Sequence, residues 1–141
     1  MGDLQAAFAW GDRKIRRTGY WPGEGSPPSG FHFDLWLGPV RDHPYSPKYF
    51  VGEGAGCLRW NMFWDFGAGQ VADMGAHNMN MLWNAVDATL PTAMEAKGEP
   101  YNAEVTPVEL ECLYQHPRNA WRGPMTISWY QGGRMPRSPK P

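Results

Sequence analysis

Asp73 and His77 stand four residues apart in WDFGAGQVADMGAHNMNMLWNAVD, residues 64–87. The stretch opens with glycines and turns helical, so this spacing puts a carboxylate and an imidazole on one helix face. A carboxylate beside an imidazole orients the ring and favours its protonated form, which prepares a histidine to exchange a proton with a substrate hydroxyl. The pair could also begin a metal site. Such sites need three or four ligands, however, and His32, His43 and His116 stand at no diagnostic spacing, so no metal is expected. On spacing alone, the commoner meaning of an Asp-His pair is a helix face making local hydrogen bonds. The glycines and aromatics just before it shift the weight toward chemistry.

The element carrying the pair is a helix expected over about residues 70–88. Val71, Met74, Met81, Leu82, Ala85 and Val86 form its apolar stripe, Asp73, His77, Asn80 and Asn84 a polar one, and Pro91 ends it. Ahead of it, Leu4, Ala6, Phe8 and Trp10 alternate as in a strand with one buried face. Residues 11–30 have loop composition, and their cluster Arg13, Lys14, Arg16 and Arg17 reads as a solvated loop rather than an anion site. FHFDLWLGP follows, then a second long loop dense in aromatics and glycine. After the helix come three strand-like segments: TAMEAKG, PVELECLYQHP with Val108, Leu110, Cys112 and Tyr114 on one face, and PMTISWYQGG with Met125, Ile127 and Trp129. The expected fold is α+β: an open, largely antiparallel sheet, one main helix and long Gly/Pro/aromatic loops. It occupies residues 1–133, and residues 134–141 form a Pro-rich extended tail.

Composition narrows the function classes. Thirteen basic against 14 acidic residues give a net charge of -1 without charged blocks, which argues against nucleic acid. No apolar run approaches the ~20 residues that span a bilayer, so no membrane partner is expected. Cys57 and Cys112 are far apart and form no CxxC, leaving free thiols or one disulfide. Phe63, Trp64 and Phe66, with Tyr45, Tyr49 and Trp60, are suited to stacking on sugar faces, or equally to burying one another in a large loop. The glycines at 52–56 and 67–69 match neither GxGxxG nor GxxxxGK[ST], so no nucleotide site is expected in this chain.

FDLWLGP (33–39), PYSPKYF (44–50), RWNMFWDFGAGQVADMGAHNMNMLWNAVDATLPTAMEAKG (59–98) and PMTISWYQGG (124–133) together resemble the C-terminal domain of the glucose-fructose oxidoreductase, inositol dehydrogenase and rhizopine-catabolism family, Gfo/Idh/MocA. Four ordered motifs covering nearly the whole chain are more specific than any one of them. The resemblance implies a parent oxidoreductase in which an N-terminal Rossmann domain binds NAD or NADP and this domain supplies the substrate wall and an oligomer interface through its sheet. It implies His77 as acid/base on a sugar or polyol hydroxyl and Asp73 as the residue that holds or assists it. Asn80, Trp64, Asp65 and Tyr45 are then the expected substrate-binding residues. Asn80 stands where many relatives have Asp, keeping the hydrogen bonding without the charge, and Ala72 where Gly is usual.

Many members add a Lys in an E-K-P motif. Neither that motif nor GxGxxG occurs here. The expectation is therefore a fragment truncated at both ends, inactive alone and binding no cofactor, poorly soluble, and cytoplasmic unless an export signal lies in the missing part. Three alternatives remain: an NAD-dependent glycosidase of the same family, a stand-alone carbohydrate-binding or dimerisation module without catalysis, and a decaying gene piece whose chain does not fold alone.

Overall fold

The computed structural model describes residues 3–13, 19–51 and 60–136. Four strands form one open sheet in the order β1-β4-β3-β2: β1 is Ala6–Gly11, β2 Ala93–Gly98, β3 Leu110–His116 and β4 Met125–Gln131. β2 pairs antiparallel with β3 and β3 with β4, while β1 lies parallel to β4. Mostly antiparallel pairing plus one main helix is the expected α+β class.

Alternation along the strands decides which side chains meet the helix. On β4, Met125, Ile127 and Trp129 face inward and are at most 3% exposed. Across the ladder they stand beside His116, Tyr114 and Cys112 of β3. These faces are the expected ones. β1 reverses its expectation. Leu4, Phe8 and Trp10 are 38%, 38% and 46% exposed, whereas Ala9 is buried beside Trp129. The small residues lie under the helix because the helix approaches β1 closely: the Asn78 side chain donates to the Trp10 carbonyl at 2.9 Å.

The helix is in two pieces, α2 Gly69–Ala72 and α3 Met74–Ala85, separated at Asp73. Val71, Met74, Met79 and Leu82 pack on the core formed by Ala9, Cys112 and Trp129. Met81, expected in that stripe, is 65% exposed, and Met79 takes its place. The helix ends at Ala85, well before Pro91, with the Val86 amide making its last bond to the Leu82 carbonyl at 3.0 Å. Val86 caps the end, Asp87 takes φ +48°, and the Val86 carbonyl accepts from Arg122 Nε at 2.8 Å and from Asn119 at 3.2 Å. Those outside donors satisfy a carbonyl the helix leaves open.

A second core is aromatic. Tyr49, Phe63 and Val105 are at most 5% exposed and are packed by Tyr20, Trp21, Trp36, Phe50 and Phe66. It draws in a short helix, α1 Phe33–Leu37, which buries Phe33 and Leu37, and a 3-10 turn at Pro47–Tyr49. A bridge between Phe63 and Val105 ties the lobe to the segment before β3. Lys14, Arg16, Arg17, Cys57, the 52–56 glycines and tail residues 137–141 lie outside the described residues.

Candidate active site

The site is built on the junction of α2 and α3. Gly69 opens α2 at φ +68°, and a Cβ there would lie 2.6 Å from Thr106 Oγ1, so the turn admits only glycine. Its amide donates to the Asn61 carbonyl at 3.0 Å. Four residues on, Asp73 has ψ -85°, outside the helical range, and its side chain does not cap α3. The carboxylate instead accepts from Arg13 Nη1 and from Asn61 Nδ2, each at 3.1 Å and both on Oδ2. Arg13, a third exposed, thus pairs with a carboxylate of its own chain, while the rest of its cluster lies outside the described residues. Neither it nor Asn61 could be paired with Asp73 from sequence, because 60 and 12 residues of chain separate the partners.

His77 follows one turn along α3 and is exposed. Among the described residues no hydrogen bond links it to Asp73. The shared helix face thus exists, but the direct acid-imidazole contact does not. His77 lies on the side of α3 away from the sheet, the side left by the packing of Met74, Met79 and Leu82.

Among the described residues, cavities flank the helix on three sides. One of about 270 Å³ is lined by Trp60, Asn61, Phe66, Gly67, Ala72 and Asp73. A second, of about 480 Å³, runs between α3 and β3 past Asn80, Trp83, Asn84 and Tyr114. The third, of about 350 Å³, has Trp64, Tyr101, Leu110 and Gln131 in its walls. Val71 borders the second and the third. The expected site residues are accordingly distributed: Asp73 on the first cavity, Asn80 on the second and Trp64 on the third. Trp64 Nε1 is tied to the Asn102 carbonyl at 2.9 Å, and Asn84 donates to the Asn80 carbonyl at 2.7 Å.

Asp65 and Tyr45 belong to the aromatic lobe. Asp65 Oδ2 lies 2.7 Å from His43 Nε2 and 3.1 Å from Arg41 Nε. Burial disfavours its charge, but His43, the Tyr20 phenol and the Arg41 guanidinium outweigh that and hold the carboxyl below its ordinary value. Tyr20 stacks on His43 at 4.1 Å, and Arg41 sits 5.2 Å over the Tyr20 ring. Tyr45 packs edge-on to Phe33 at 5.3 Å.

Two titratable groups of β3, Tyr114 and Cys112, are set against ionisation. Burial, with Cys112 alongside, pushes the Tyr114 phenol up to about 12, and burial likewise raises the Cys112 thiol. A buried thiol held protonated is a poor nucleophile. Among the described residues no three His, Cys, Asp or Glu are grouped to hold a metal, and no helix is long and apolar enough to cross a membrane.

A dinucleotide would need a glycine turn open to pyrophosphate at a helix start. Here Asn61 presses within 2.9 Å of where a Gly67 side chain would begin, and Thr106 fills the space over Gly69. Neither of these two glycine turns fits such a cofactor.

No curated protein matches the chain. Residues 6–134 match the Gfo/Idh/MocA family described as "Oxidoreductase family, C-terminal alpha/beta domain". Matched over nearly its whole length, and folded as an open α+β sheet with one main helix, the chain belongs to the Gfo/Idh/MocA oxidoreductases as their C-terminal domain.

Proposed function

We propose that this chain is the substrate-side domain of an oxidoreductase acting on a sugar or polyol hydroxyl. In this reading His77 exchanges the hydroxyl proton, and Asp73 holds the turn that presents His77. The family is typically NAD(P)-dependent, and in this reading the dinucleotide belongs to a partner Rossmann domain, since neither the Gly67 nor the Gly69 turn is open to it. The carrying observation is the exposed His77 ring, one turn beyond a junction pinned from both sides, on the helix face turned away from the sheet. Oxidising an alcohol removes a proton from oxygen as well as a hydride from carbon, and an imidazole suits that proton near neutral pH. Trp64 and Asn80, in two cavities that share Val71 as a wall, supply an apolar face and an amide, the combination that sugar rings take. The outer face of the sheet, with Phe8 and Trp10, is the proposed surface for association between copies.

The test is turnover of the full-length protein with NAD or NADP across a panel of sugars and polyols. His77→Ala should lower kcat by about 10²–10⁴-fold. Unchanged turnover would refute the assignment. Sugar binding without turnover in the unmutated protein would favour a binding module instead.

A further inference from the structure

We infer that Arg13 and Asn61 are positioning residues for His77, acting through the carboxylate of Asp73. The inference rests on the acid/base reading of His77 and adds two residues from outside the helix.

Three separate segments meet at one oxygen atom. Arg13 follows β1, Asn61 precedes the aromatic bridge, and both donate to Asp73 Oδ2. Each segment is bonded to the junction a second time through its backbone. The Gln70 side chain, 2% exposed, donates to the Arg13 carbonyl, and the Asn61 carbonyl accepts from Gly69 N at 3.0 Å. The junction is thus gripped from β1 on one side and from the aromatic lobe on the other. The grip falls where the helix cannot set its own direction. At Asp73 the backbone leaves the helical range, so the path of the first turn of α3 depends on what holds Asp73. His77 lies in that turn.

Arg13 also decides what kind of group Asp73 is. Its guanidinium makes a charge-assisted hydrogen bond, stronger than a neutral one. The side chains of the pair are 32% and 23% exposed, so solvent shields it only in part. A carboxylate engaged by two donors acts as an anchor for the turn, and the proton exchange is left to the unencumbered imidazole one turn on.

The experiment uses the full-length protein with Arg13→Met, Arg13→Lys, Asn61→Ala and a control, Lys48→Met, whose exposed pair with Glu24 is remote in sequence from the junction. Two readouts are taken: kcat and KM with a sugar or polyol that the protein turns over, and amide hydrogen exchange over residues 69–77. Arg13→Met and Asn61→Ala should each lower kcat by about 10–10²-fold, as displacement of a catalytic group does, with KM changed by less than about threefold. Arg13→Lys should recover most of the Arg13→Met loss, because one donor is enough for one oxygen. Exchange should quicken in the first two variants and not in the control. Wild-type kcat in Arg13→Met overturns the inference whatever the exchange shows, and so does Lys failing to rescue. If His77→Ala retains full turnover, the acid/base reading fails separately. The exchange result then still shows whether Arg13 and Asn61 hold the junction.

Discussion

His43 Nε2 lies 2.7 Å from Asp65 Oδ2, where the loop before Tyr45 closes on the 60–67 segment. His43 is 7% exposed and stacked by Tyr20, so this contact joins two aromatic stretches from within the lobe. Asp65→Asn should weaken it by about 1–3 kcal/mol, the range for a hydrogen bond to a charged group or its loss. Thermal unfolding would register that as a lower Tm, by about 2–4 °C per kcal/mol.

The same carboxyl has an acid signature. Its folded pKa is lowered, so below the ordinary aspartate value of about 3.9 the unfolded chain binds the proton more readily than the folded one. The stabilisation it gives is complete above that value and is lost as pH falls through the folded pKa. Asp65→Asn should remove that part of the acid limb in urea titrations. An unaltered limb would show that Asp65 contributes nothing to it.

His116 should govern stability at milder acidity. It is 2% exposed, its Nδ1–H donates to the Thr89 carbonyl at 3.0 Å, and Nε2 is buried without a partner. Burial lowers its pKa. The Thr89 bond opposes that shift, and the positive charge of Arg122 reinforces it. Since the unfolded ring takes a proton near about pH 6.5, stability should be full above that value and decline as pH falls from it through the folded pKa. The slope for one group is at most about 1.4 kcal/mol per pH unit. His116→Asn should cost stability at neutral pH yet flatten this slope, and a parallel downward shift at every pH would count against the assignment.

Gly69→Ala should be among the most damaging small changes near the site. A non-glycine residue held at φ +68° costs about 1–3 kcal/mol. The new methyl would also meet Thr106 Cβ at 2.9 Å as well as Oγ1, an overpacking worth about 1–3 kcal/mol more. Adding Thr106→Ala should recover part of the second cost and none of the first. Strict additivity of the two changes in denaturant unfolding would mean that they do not meet.

Much of the sheet was legible in the sequence. The alternations Leu110-Cys112-Tyr114 and Met125-Ile127-Trp129 each name a face, and both faces lie under the helix. The strand at Ala6–Gly11 was legible too, but not its orientation. Alternation separates two faces without saying which meets the helix, and here close packing selects Ala9 over Phe8 and Trp10. The break at Asp73 and the partners of its carboxylate were not legible at all. They depend on Arg13, 60 residues away, and no local pattern encodes so distant a contact. The aromatic residues were visible as a group, while their division into lobe core, as for Phe63, and cavity wall, as for Trp64, is a matter of packing.

The outward side of β1 gives the last prediction. Phe8 and Trp10 stand beside Ser128 and Tyr130 of β4, and the Phe8 and Tyr130 rings lie 6.3 Å apart, so their apolar surface is continuous across the two strands. Next in the same row, Tyr130 pairs with Glu111 of β3, and further out β2 presents Glu95 and Lys97, joined at 3.0 Å. An apolar patch bordered by charge is the pattern of a surface that another protein covers. If copies of the chain associate there, Trp10→Glu should place a charge at the centre of the contact and shift the protein toward monomer in sedimentation experiments. Glu95→Gln, at the charged border, should change the assembly little. A wild-type protein that is monomeric at all accessible concentrations, or a Trp10→Glu variant that assembles normally, would remove this face from consideration.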